Sequence, residues 1–329
     1  MTTLLVTGGA GFIGSHFIDL CVKTNSPNIS KIVVLDNLGY SGRIDNLRNH
    51  LASNSIQFVE GDISDDSQVS ALIKVEKIDS IINFAAESHV DRSIVSGLPF
   101  VKSNVLGVAV LLEAFKKYCS GVFLQISTDE VYGSINFGSW NEEEPLKPNS
   151  PYAASKGSAD MLVMAYKRTF EIDTRITRCS NNYGPRQFPE KLIPLFITNI
   201  LSGKKVPVYG DGSNVREWIH VEDHCRSILT VYEKGRFGEV YNIGSGAELS
   251  NLDMTRMILE QLNVPESQIE YVRDRRGHDF RYSLDSSKFL REFGEMNFTS
   301  LEDGLRETID WYKENKAWWT SSFFKVKYR

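Results

Sequence analysis

The chain has 329 residues, 41% hydrophobic and 24% charged, with a formal net charge of −5. This is the balance of a globular protein with a sizeable core, and without a basic block it is not expected to bind nucleic acid. No run of about 18 apolar residues marks a membrane span, so no membrane association is expected.

Met1-Thr2-Thr3-Leu4-Leu5-Val6 lacks a charged n-region, so no signal peptide is expected. Leu4 to Thr7 reads as a short buried strand. It runs into Gly8-Gly9-Ala10-Gly11-Phe12-Ile13-Gly14 and then a helical pattern from Ser15 to Val22. Glycines 8, 11 and 14 suit a tight turn, close approach of backbone to a pyrophosphate, and close packing of helix on strand. The helix N-terminus adds amides and a positive dipole end for the anion. The next strand, Lys31 to Leu35, ends in Asp36, 22 residues past Gly14. An acid there grips the ribose hydroxyls and repels a 2′-phosphate, favouring NAD over NADP. Arg43 is close enough in sequence to complicate that preference. Ile56 to Val59 is the following strand, leading through Gly61-Asp62-Ile63 to a polar helix that ends near Val75. Ile78 to Phe84 is a further strand, ending in small residues at Ala85 and Ala86 that let a cofactor pass near the backbone. Asn104 to Tyr118 is a strongly apolar helix, and Gly121 to Ile126 is another strand. Strands and helices alternate, which means a doubly wound parallel α/β sheet of the Rossmann kind. Its active site belongs outside the carboxyl ends of the strands.

Ser127-Thr128-Asp129-Glu130-Val131-Tyr132-Gly133 falls at such an end. Ser150 and Pro151 then read as the N-cap and first position of a helix carrying Tyr152 and Lys156. These two are four apart and share a face. An ammonium beside the phenol would lower its pKa and make Tyr152 a general base. Alone, the Tyr-x-x-x-Lys spacing is a weak signal, and the glycine turn strengthens it.

The Tyr152 helix should continue to about Phe170, and Thr174 to Arg178 is another strand. Beyond Gly184 the alternation weakens. Helices are expected at 193–201, 221–232, 252–262 and 301–315, with no helical period in Trp318 to Phe324. This divides the chain into an NAD-binding Rossmann domain, 1–180, which also receives later segments, and a smaller α/β substrate domain, 181–329. Cys21, Cys119, Cys179 and Cys225 are scattered, without a Cys-x-x-Cys pair. They read as reduced thiols of a cytoplasmic protein, and with no histidine ligand spacing no metal is expected.

With these motifs the chain resembles the extended short-chain dehydrogenase/reductases, and within them the dTDP-glucose 4,6-dehydratases. The discriminating stretch is Ser127 to Gly133, since the epimerases of the superfamily usually lack the adjacent acids Asp129 and Glu130. Similar segments are Ser180 to Pro194, Pro207 to Gly212 with Arg216-Glu217-Trp218, and Arg275 to Tyr282. The family pattern has proline at the position of Arg276. The resemblance implies a tightly bound NAD, regenerated each turn, and a nucleotide-diphosphate sugar substrate. It implies Thr128, Tyr152 and Lys156 for oxidation at C4, with Asp129 as acid and Glu130 as base for loss of water across C5–C6. It also implies cofactor contacts at Gly8, Gly11, Phe12, Ile13, Gly14, Asp36, Asn37, Asp62, Ile63, Ala85, Ala86 and Asn104. Expected substrate contacts are Ser88, His89, Asn181, Lys191, Leu192, Pro207, Tyr209, Arg216, Asn251, Arg281 and Tyr282. The helices 105–118 and 152–170 resemble the pair that forms a four-helix homodimer interface; burial of both within one chain is the alternative. The nucleotide (dTDP, UDP or another) and the C2 substituent stay open, and a 4-epimerase or a non-catalytic NAD scaffold are the competing readings.

Overall fold

Strands buried on both faces read as unbroken apolar runs, and Leu4-Leu5-Val6 and Ile32 to Leu35 are buried throughout. The computed structural model describes residues 2–24, 26, 28–275 and 277–320. In it β1 (Thr2–Thr7), β2 (Ile29–Asp36), β3 (Gln57–Glu60), β4 (Ser80–Asn83), β5 (Phe123–Thr128) and β6 (Thr174–Cys179) fall on the six segments expected as strands. Six further strands were not evident from pattern: β7 (Asn181–Tyr183), β8 (Val206–Tyr209), β9 (Val215–His220), β10 (Val240–Ile243), β11 (Glu248–Ser250) and β12 (Ile269–Val272). A seven-stranded sheet has the order β10-β6-β5-β4-β1-β2-β3, parallel at every pairing. Its order reverses between β1 and β4, and ligand crevices open at such a point. β11-β9-β7 and β12-β8 form two small sheets beside it. β10 comes from the second half of the chain and joins the first sheet.

Two buried clusters flank the large sheet. One gathers Phe17 and Ile18 with Ile228 and Val231, so the helix after the glycine turn packs against helix Val221–Lys234. The other gathers Val69, Ile73, Leu111, Phe115 and Val163 from the opposite face. A third, with Phe196, Trp218, Ile258, Leu305 and Tyr312, is the core of the second half. At the carboxyl ends, the Thr7 hydroxyl donates to Asn83 Oδ1 at 2.5 Å and Asn83 Nδ2 to Gln125 Oε1 at 2.8 Å. This buried ladder holds β1, β4 and β5 in register beneath the crevice.

Three expectations change. β5 ends at Thr128 rather than Ile126, so Thr128 stands on the rigid strand itself. The apolar helix starts earlier: helical structure runs continuously from Leu98 to Tyr118, through a π-helical turn over Val101–Leu106. That segment is 21 residues long with a hydropathy of 1.5, so length and composition alone would allow a membrane span, but half of it is buried against the body of the protein. The tail expected to lack helical structure forms a short helix at Lys316–Thr320, with Trp319 buried. Arg276 and residues 321–324 lie outside the described residues.

Candidate active site

The crevice begins at the turn after β1. Gly8 has φ 67°, and a Cβ there would lie 2.6 Å from the Ala85 amide nitrogen. A Cβ on Gly14 would lie 2.5 Å from the Gly8 carbonyl oxygen. Side chains are therefore excluded where β1, the loop after β4 and helix Phe12–Thr24 converge. At the end of β2, Asp36 Oδ2 accepts from the Ala10 amide at 3.0 Å and Oδ1 from Leu38 at 2.8 Å. Those bonds aim the carboxyl into the crevice wall. Arg43 turns the other way: its guanidinium donates to the Trp318 carbonyl at 2.6 Å and to Asp45 at 3.0 Å, and stacks 4.8 Å from the Trp318 ring centroid. A cradle that any Cβ would fill, a helix N-terminus and an acid at the end of β2 fit a dinucleotide with free ribose hydroxyls.

The other half is built on β5 and helix Pro151–Phe170. The Ser150 hydroxyl accepts from the Ala153 amide at 3.1 Å, so the cap and the proline start the helix at the expected residue. Tyr152 and Lys156 are both buried on the face toward β5. Lys156 Nζ donates to the Ile126 carbonyl at 2.6 Å. Thr128 caps the turn Asp129–Tyr132: its hydroxyl accepts from the Glu130 amide at 3.3 Å and donates to Asp129 Oδ1 at 3.1 Å. Asp129 Oδ2 is buried without a hydrogen-bond partner among the described residues.

The two acids are driven apart electrostatically. Burial, then Glu130 and Glu217, pushes the Asp129 carboxyl well above the usual carboxylate range, so it holds its proton. Burial also raises Glu130, but Lys191, Arg275 and Arg216 pull it back toward ionisation. Burial and neighbouring acids favour the protonated form at Asp129, while three cations favour the carboxylate at Glu130. Tyr152 departs from expectation. Burial, followed by Glu130, Cys179 and Asp129, pushes the phenol up, and the Thr128 hydroxyl bond opposes them. Lys156 is not among the leading influences on the phenol: its ammonium donates to the Ile126 carbonyl, while carboxyls crowd the phenol. Burial lowers Lys156 itself, opposed by Asp160 and Cys179.

One crevice brings together Gly8, Gly11, Phe12, Ile13, Gly14, Asp36, Asn37, Ile63, Ala85, Ala86, Ser88, Thr128, Asp129, Glu130, Tyr152, Lys156, Asn181 and Lys191. Asp62 and Asn104 stand behind it. Asp62 binds Ser64 and Lys102, the latter at 3.1 Å. Asn104, on the π-helical turn, bonds both backbone groups of Glu87 and the Ser155 hydroxyl, tying the loop after β4 to the Tyr152 helix. His89, Leu192, Pro207, Tyr209, Arg216, Asn251, Arg281 and Tyr282 also lie off the crevice wall. Arg216 is buried, donating to the Asp279 carbonyl at 2.9 Å and lying over the Tyr282 ring. Arg281 is bidentate to Glu248 at 2.7 Å. Tyr282 bonds Asp279, and Tyr209 is 39% exposed. Sequence reasoning did not single out Arg275, Cys179 or Glu190. Arg275 acts on Glu130, Cys179 lines the wall beside Tyr152, and burial raises Glu190 to about 7. Arg275 and Glu190 lie in segments already recognised, but only three-dimensional proximity and burial pick them out.

The model of the family described as GDP-mannose 4,6 dehydratase matches residues 5–308. The dTDP-glucose 4,6-dehydratase of an Actinoplanes species is 52% identical over 321 residues, covering 96% of this chain and 99% of that protein. The dTDP-glucose 4,6-dehydratase of Streptomyces venezuelae, solved with NAD and dTDP bound, superposes with a TM-score of 0.94 at 50% identity over 97% of this chain and 99% of that one. The Bacillus anthracis dTDP-glucose 4,6-dehydratase, solved with NAD, gives 0.89 at 45% identity over 97% and 99%. The similarity runs through both halves of the crevice, and the chain belongs to the GDP-mannose 4,6 dehydratase family.

Proposed function

We propose that this protein is an NAD-dependent nucleotide-sugar 4,6-dehydratase that acts on dTDP-glucose. The observation that carries the reading is the adjacent acids Asp129 and Glu130, in the same crevice as Tyr152 and Lys156, with burial favouring a proton on Asp129 and Lys191, Arg275 and Arg216 favouring the carboxylate of Glu130. An epimerase has no use for that acid–base pair, because no water leaves. The relatives named dTDP-glucose 4,6-dehydratase support the choice of nucleotide and sugar over a GDP or UDP substrate.

The glycine turn and Asp36 hold the cofactor. Bound there, NAD would supply an acceptor for the C4 hydride and, once reduced, a donor for C6, and its positive charge would favour the phenolate of Tyr152. Tyr152 removes the C4 hydroxyl proton, with Thr128 hydrogen-bonding the same oxygen and Lys156 holding the nicotinamide ribose. The resulting 4-keto group acidifies C5. Glu130 takes the C5 proton while Asp129 gives its proton to the departing C6 hydroxyl, which leaves as water. Hydride addition at C6 and return of the proton to C5 give the 4-keto-6-deoxy sugar used in deoxysugar biosynthesis. Lys191, Arg216 and Arg275 supply charge for the diphosphate, Tyr209 an aromatic face for the base, and Asn181 and Asn251 further hydrogen bonds. In this reading residues 1–180 with β10 serve the cofactor, and most of 181–329 serves the sugar nucleotide.

The assembly that goes with it is a homodimer. Leu98, Val101, Leu106 and Met161 are at least half exposed on the two helices whose pairing would bury them. The four unpaired cysteines fit a reducing, cytoplasmic setting. Incubating the protein with dTDP-, UDP- and GDP-hexoses and reading mass loss tests the function. Loss of one water from dTDP-glucose is expected, and intact substrate across the panel would overturn the reading.

A further inference from the structure

Four buried polar side chains behind the crevice take no part in the chemistry above. Asp160 is fully buried on helix Pro151–Phe170, one turn past Lys156 and two past Tyr152, so all three share a face. Its Oδ2 accepts from Arg178 Nε at 2.9 Å. Arg178 is 2% exposed and stands on β6, in register with Ser127 of β5. Its second nitrogen donates to the Tyr132 hydroxyl at 2.7 Å, with the guanidinium 4.8 Å from the Tyr132 ring centroid. The hydroxyl in turn donates to Asn242 Oδ1 at 2.9 Å, and Asn242 Nδ2 donates to the Trp140 carbonyl at 2.8 Å.

Tyr132 closes the turn that begins at Asp129, so this chain of bonds joins two elements that carry different halves of the reaction. One end is the helix of Tyr152 and Lys156. The other is the turn of Asp129 and Glu130. Burying a guanidinium and a carboxylate is costly, and an apolar pair of similar volume would often be as stable. What a charged, multiply bonded arrangement offers over packing alone is fixed direction and distance. Successive proton transfers to one sugar ring need that, since displacement by about 1 Å costs on the order of 100-fold in rate.

We propose that Asp160, Arg178, Tyr132 and Asn242 form a buried brace that sets the spacing between the oxidising pair, Tyr152 and Lys156, and the eliminating pair, Asp129 and Glu130. These are positioning residues, and the inference rests on the dehydratase reading. Asp160 also reaches the oxidising pair by charge: one of its oxygens has no hydrogen-bond partner, and after burial it is the largest influence on Lys156, favouring the ammonium.

Tyr132→Phe tests the brace, because it keeps the ring and its stacking on Trp140 while deleting both hydroxyl bonds. In single turnover with dTDP-glucose, NADH should form within about twofold of the parent rate and be consumed about tenfold more slowly, so that it accumulates. Any other pattern, including equal slowing of both steps or no change in either, overturns the brace. The parent run alongside separates the two ideas: a parent that releases no water sinks the dehydratase reading and the brace with it, whereas an active parent with an unaltered partition in Tyr132→Phe sinks the brace alone. A folded Asp160→Asn should also shift the pH dependence of NADH formation to lower pH, and an unshifted profile removes Asp160 from the brace.

Discussion

Replacing Asp129 by asparagine separates elimination from oxidation. The side chain keeps its shape, and its carbonyl oxygen can still accept from Thr128, as Oδ1 does at 3.1 Å. What is lost is the proton on a buried carboxyl whose Oδ2 has no protein partner. General-acid assistance is worth about 10²–10⁴-fold, or roughly 3–5 kcal/mol. An amide can still hydrogen-bond the departing oxygen, so the loss should fall near the lower end, about 10²–10³-fold. Oxidation should not be slowed, because its groups, Tyr152, Thr128 and Lys156, are left in place and Thr128 keeps its acceptor. Stopped-flow absorbance of bound NADH after mixing with dTDP-glucose should therefore rise at nearly the parent rate and then persist. Tyr152→Phe should show no such rise, having lost the base. Normal water loss from Asp129→Asn without accumulated NADH would refute the acid assignment. NADH formation at the parent rate in Tyr152→Phe would refute the division of labour.

Asp36→Ala should weaken NAD binding by about 1–3 kcal/mol through the lost ribose contact, measured by calorimetry on cofactor-stripped protein, and should also lower the stability of the fold by unpairing the Ala10 and Leu38 amides. The parent should prefer NAD to NADP, and equal affinities would remove the role given to Asp36. Asp129→Asn should melt higher than the parent at neutral pH. The folded carboxyl titrates above its unfolded value of about 3.9, so the parent loses stability as pH rises past that value while the amide does not. The gain should vanish below about pH 4, where both states of the parent are protonated; a gain that persists there would point to packing instead. Light scattering at micromolar concentration should give a dimer mass, reduced to a monomer by Met161→Glu, and a monomeric parent would count against the interface.

How much of this was legible depends on how each element is buried. β1 and β2 declare themselves because both faces are covered, so Leu4 to Val6 and Ile32 to Leu35 read as unbroken apolar runs that end in functional residues, whereas β3 (Gln-Phe-Val-Glu) is only partly buried and β6 carries two buried arginines, and these follow from the alternation of elements. β7 is Asn-Asn-Tyr and β11 is Glu-Leu-Ser, three-residue strands in small sheets whose composition is indistinguishable from a loop. β10 carries a strand-like Val-Tyr-Asn-Ile, but nothing local shows that it returns to a sheet begun more than 200 residues earlier. The site divides the same way. Motif residues announce their roles by spacing. The pKa ordering of Asp129 and Glu130 depends on Lys191, Arg216 and Arg275, which converge only on folding.

The contact between Arg43 and Trp318 bears on how the protein is made. Trp318 Nε1 donates to Asn46 Oδ1 at 3.1 Å, and Asn46 Nδ2 donates to the Ala10 carbonyl at 2.9 Å, inside the glycine turn. The glycine turn is thus backed by a residue synthesised about 300 positions after it. At about 5–20 residues per second, a nascent chain spends many seconds with β1 and its glycine turn synthesised but without Trp318 behind them. We expect cofactor capture to be a late event in biosynthesis: chains stalled before Trp318 should hold NAD more weakly than released ones, and equal retention would show that the turn needs no such backing.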